Sequence, residues 1–148
     1  MGSKQKVRSA VRGADDAGRE GSRPGVTKHF RYTQDDFLRF RQEARRCVEL
    51  LGLTEWAVDY DFGGVQDGWW AHCRWNVVGR RATLALTDKS WPADVGKPDP
   101  IEHAWHEAAE LLIAPLNSML RTQLAEERVA EATHQVIRRI EKLLARVS

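Results

Sequence analysis

Residues 101–116 read I-E-H-A-W-H-E-A-A-E-L-L-I-A-P-L and place two histidines and three acids within nine residues. On a helix, at about 100° per residue, His103, His106, Glu107 and Glu110 fall within one arc of roughly 100°. Ala104, Trp105, Ala108, Leu111 and Leu112 fall on the other side. One face can then pack on a core while the other presents imidazole and carboxylate to a common point. The run H-E-A-A-E differs by one residue from H-E-x-x-H, the zinc-hydrolase signature.

Zinc in a hydrolytic site takes three protein ligands and keeps one position open for water. Ligands at i and i+4 on a helix stand one above the other, and an acid just after the first points beside the ion. This spacing makes His106 the first ligand, Glu110 the second in an H-E-x-x-E variant, and Glu107 the catalytic base that activates a zinc-bound water. A carboxylate is an acceptable zinc ligand, so a Glu in place of the second His changes charge without abolishing coordination. The third ligand must come from elsewhere. His134 on the last helical segment is the first choice, with His103 and Glu131 as additional candidates; His103 is also a candidate donor to an oxyanion. The competing reading is a solvated polar face of an amphipathic helix, which needs no function. Cys73 and His72 are strand neighbours and point to opposite faces, so they do not make a nucleophile pair.

The elements that must hold these residues can be read in chain order. Thr33 is an N-cap followed by Asp35 and Asp36, and Phe37, Phe40, Ala44, Cys47, Val48 and Leu51 make an apolar stripe that ends near Gly52. Three strand-like runs follow at 56–62, 69–78 and 81–88, separated by Gly63-Gly64, Asp67-Gly68 and Gly79-Arg80. Short glycine-containing links predict a three-stranded antiparallel meander. Residues 91–100 hold three prolines and are expected to be a loop. The helix carrying His106 follows, with Pro115 expected to end or kink it and Leu116, Met119 and Leu120 to extend its apolar stripe. A last helix is expected over about 125–146, with Val129, Ala132, Val136, Ile140, Leu143 and Val147 on its buried face. The fold class is α+β: helix, three strands, then two helices.

The chain has 148 residues, 30% charged and 42% hydrophobic, enough for one soluble domain. Residues 1–31 hold eight Lys or Arg against three acids, and the other 117 hold 15 against 18. The basic excess thus lies in residues 1–29, read as a disordered basic tail, and the domain is 30–148. Such a tail can touch nucleic acid through phosphates, although a solvated leader is the simpler reading. No apolar run reaches the roughly 20 residues that cross a bilayer, and no secretory leader is evident. Two cysteines without a C-x-x-C point to a cytoplasmic setting.

Over residues 30–147 the sequence resembles the small zincin-like metallopeptidases encoded by phages and prophages, related in layout to SprT-like and minimal gluzincin domains. The resemblance rests on the order helix, three strands, the helix A-W-H-E-A-A-E-L-L-I-A-P-L, and a last helix with V-I-R-R-I-E-K-L-L. It implies a minimal zincin-like fold, one Zn2+ ion, and hydrolysis of a peptide or protein substrate in the host cytoplasm, with the third strand pairing to the extended substrate. The family reads H-E-x-x-H and carries an acid in its last helix. Here Glu110 stands where the second His would be, and His134 falls near the acid's position. The ligand set is then retained by exchange, or else the fold persists as a catalytically silent module that binds a protein partner.

Overall fold

The computed structural model describes residues 28–122 and 126–147; the expected basic tail lies outside the described residues, apart from Lys28 and His29. Its elements are β1 (His29–Phe30), α1 (Gln34–Leu50), β2 (Ala57–Phe62), β3 (Ala71–Asn76), β4 (Arg81–Leu86), β5 (Trp91–Pro92), α2 (Pro100–Leu120) and α3 (Glu126–Val147). The α+β class holds, with three helices and two small sheets. No described helix is long and apolar enough to cross a membrane.

Helix α1 starts where the sequence marks it. Thr33 and Asp36 form a reciprocal capping box, in which the Asp36 amide donates to Thr33 Oγ1 and the Thr33 amide to Asp36 Oδ2. The buried side of α1 carries Phe37, Phe40, Ala44, Cys47 and Val48.

The three-stranded sheet is not a meander. Its order is β2-β4-β3, with β2 parallel to β4 and β3 antiparallel to β4. Only β3 and β4 form a hairpin, whose link is closed by the Gly79 amide donating to Asn76 Oδ1 at 2.8 Å. Residues 63–69 look in sequence like a hairpin turn, but they contain two large apolar side chains that need cover. Val65 and Trp69 are buried against Ala85 of β4, so this link crosses the sheet and delivers β3 to its far edge. The third run is therefore the central strand, flanked on both sides, and it has no free edge for a substrate backbone. A second small sheet, β1 with β5, forms where a tail boundary and a proline-rich loop were expected.

Helix α2 begins at Asp99, whose side chain accepts from the Ile101 amide, with Pro100 in the first turn. Pro115 does not end it; the helix runs on to Leu120. Leu116 and Met119 are exposed rather than core. On α3 the buried residues are Val129, Thr133, Ile137 and Leu144, while Val136, Leu143 and Val147 are exposed. The sequence reading missed this because a polar residue takes a core position. Thr133 Oγ1 donates to Asn117 Oδ1 of α2 at 2.6 Å, and this rotates the buried stripe. Helix α2 contacts α1, β3, β4 and α3, so it is the central element.

Candidate metal centre

The face of α2 that carries the acids and histidines is not solvated. His106 is 7% exposed, Glu107 3% and Glu110 1%. Opposite them Ala104, Ala108 and Leu111 pack into the core, and Trp105 Nε1 donates to Glu43 Oε1 of α1 at 2.6 Å. The reading as a solvated polar face fails on this burial, because buried charged groups need compensating partners.

Helix α3 supplies the partners. One ligand atom each from His106, Glu110 and His134 lies within 4.8 Å of the others, and this cluster can hold a metal ion. His106 Nε2 stands 3.5 Å from Glu110 Oε1. That spacing is close to the edge of a tetrahedron with bonds of about 2.0–2.2 Å. His106 Nδ1 is 2.6 Å from Glu141 Oε1, and His134 Nδ1 is 2.8 Å from the Ala130 carbonyl. Each ring thus spends Nδ1 on an oxygen acceptor and leaves Nε2 for the centre, the arrangement in which an outer acceptor fixes the tautomer of a metal-binding imidazole.

Several atoms here are buried without a hydrogen-bond partner: His106 Nε2, Glu107 Oε2 and Glu110 Oε2. Buried acceptors left unpaired are costly, and a cation would satisfy such a set together. Burial disfavours a charged His106 ring, but the nearby Glu110 and Glu141 carboxylates outweigh this and push its pKa up to about 10. Glu107 is raised well above the carboxylate range by burial and by the charge of Glu110, with His106 and the Cys73 amide acting in the opposite direction. The Cys73 amide bonds Glu107 from edge strand β3, which ties the base to the sheet.

Of the other candidates, His103 is held away from the cluster. Its Nε2 lies 3.1 Å from the Tyr32 hydroxyl, which itself donates to the Pro98 carbonyl at 3.0 Å. The Tyr32 proton is thereby used, so His103 Nε2 carries the proton and donates. Burial, with the charge of His106 next, lowers the His103 pKa to about 4. With that N–H engaged, His103 is not an oxyanion donor. Glu131 is exposed and stands outside the converging donors. Glu141 was not foreseen; its signal was its place seven residues, or two helical turns, beyond His134, on the same side of an amphipathic helix.

The chain matches no protein-family model, no curated protein and no solved structure.

Proposed function

We propose that this chain is a zinc-dependent hydrolase acting on peptide bonds, with His106, Glu110 and His134 as ligands and Glu107 as general base. The observation that carries the reading is the convergence of these three donors around buried, unpartnered atoms. Two imidazole nitrogens and a carboxylate oxygen suit zinc, with a position left for water. Zinc in such a set supplies a Lewis acid and makes water acidic near neutral pH. Glu107 Oε2 would take a proton from water and return it to the leaving amine, once a bound cation offsets the Glu110 charge that, after burial, raises its pKa. Glu141 holds His106 in the tautomer that exposes Nε2. The peptide substrate and the minimal zincin-like fold, with its phage setting, rest on the resemblance carried by the H-E-A-A-E helix. Two free, buried cysteines support a reducing cytoplasm as its compartment.

The deep burial of the donors favours a second reading, in which the ion only fastens α2 to α3 in a catalytically silent module that binds a protein partner. Metal analysis and peptide hydrolysis on the purified chain separate the two. The hydrolase reading expects about one zinc per chain and turnover that Glu107→Gln removes. Zinc without turnover supports the silent module, and less than about 0.2 zinc per chain defeats the hydrolase reading.

A further inference from the structure

Beside the metal-binding donors lies a cleft of about 580 Å³, between the first half of α2 and the second half of α3. Its volume falls in the range of on the order of 300–1,000 Å³ that buries a small organic ligand. One wall is rigid and aromatic. Trp70 stacks with Phe30, at 5.5 Å, and with Trp91, at 3.9 Å, and the His103 ring lies 6.3 Å from Trp70. The other wall is cationic. Arg138 and Lys142 both face the cleft from α3, and neither is in an ion pair among the described residues. Their i, i+4 spacing sets them on one side of the helix. Glu102 and Glu141 also line the cleft.

We infer that this cleft binds the carboxy-terminal end of a peptide, with Arg138 and Lys142 holding the terminal carboxylate and an apolar side chain lying against Trp70. A guanidinium and an ammonium four residues apart on one side of α3 can hold one carboxylate between them. The two acids in the same cleft disfavour a multiply charged phosphate and tolerate a single carboxylate. The flat wall suits a ring or a branched side chain rather than a bare ion.

Of the metal-binding donors only His106 lines the cleft, beside the Glu141 that holds its Nδ1. Recognition of the carboxylate is therefore independent of the hydrolase reading.

The test compares N-acetyl-alanyl-phenylalanine with its carboxy-terminal amide, by calorimetry on the full chain, both zinc-loaded and chelated. The acid is expected to bind at least roughly ten-fold more tightly than the amide in both preparations. Arg138→Ala with Lys142→Ala should erase that preference, while zinc content and the melting temperature stay as in the parent; both side chains are exposed. Equal binding of acid and amide, binding of neither, or a preference that survives the double substitution overturns the inference. Tighter binding of inorganic phosphate than of the acid also overturns it, in favour of a phosphorylated ligand. A chain that keeps the preference but takes up no zinc defeats the hydrolase reading alone.

Discussion

His106 is held between two carboxylates on different helices. Its Nδ1 lies 2.6 Å from Glu141 on α3, and its Nε2 lies 3.5 Å from Glu110 on its own helix. The ring is thus fixed from one side and open for coordination on the other. Glu141→Ala should leave all three ligands in place yet weaken zinc binding by about 10–100-fold, read by competition with a chromophoric chelator. Unchanged affinity would mean that Glu141 does not orient the ring.

The ligand set makes a sharper claim about His134. His106→Ala and His134→Ala should each abolish stoichiometric zinc, whereas His103→Ala and Glu131→Ala should not. Elemental analysis of the four variants decides this. Full zinc occupancy in His134→Ala would remove α3 from the centre.

Glu107→Gln is expected to keep zinc and lose turnover by about 10²–10⁴-fold, the usual contribution of a positioned acid or base. The variant preserves the shape of the side chain and removes its ability to take a proton. Zinc content and kcat measured on one preparation separate this outcome from unfolding.

Metal-free protein should lose stability as the solution becomes alkaline. The folded His106 pKa is about 10, above the roughly 6.5 of an unfolded histidine. The folded state therefore holds a proton that the unfolded chain has released. Its stabilisation is complete below about pH 6.5 and lost as pH rises towards 10. Glu107, also raised, acts in the same direction above the ordinary carboxylate range. Melting temperatures of chelated protein should fall from pH 7 to 10, and zinc, which replaces the His106 proton, should flatten that slope.

Acid should act through a different residue. His103 is lowered to about 4, so below about pH 6.5 the unfolded chain takes up a proton that the folded one refuses. Stability falls as pH drops from about 6.5 towards 4. His103→Gln should flatten this part of the melting profile. Tyr32→Phe removes the hydroxyl that partners both His103 and the Pro98 carbonyl, at a cost of about 1–3 kcal/mol in chemical denaturation.

The helices and their caps were legible because each is set by local chemistry: Thr33 with Asp36, Asp99 before Pro100, and apolar spacing. The His106–Glu110–His134 set was legible from residue types and from helical spacing. Strand order was not. Whether Gly63-Gly64 closes a hairpin or opens a crossing depends on Val65 and Trp69 finding Ala85, a contact that no local pattern announces. The buried stripe of α3 was misread for a similar reason, since Thr133 enters the core only because Asn117 meets it. Glu141 stayed hidden because a surface glutamate and a histidine's outer acceptor look alike in sequence.

The crossing between β2 and β3 also bears on the order of assembly. Ala57 pairs with Arg81, so β2 cannot join the sheet until β4 is available. Pairings between residues distant in the chain form slowly, because loop closure precedes the contacts that reward it. The α2–α3 hairpin brings His106, Glu110 and His134 together by a short route. During synthesis, then, the sheet must wait for β4 to emerge, and the metal-binding pair of helices follows it in chain order. Zinc supplied during refolding should therefore speed the late docking of α3 and leave the earlier sheet phase unchanged.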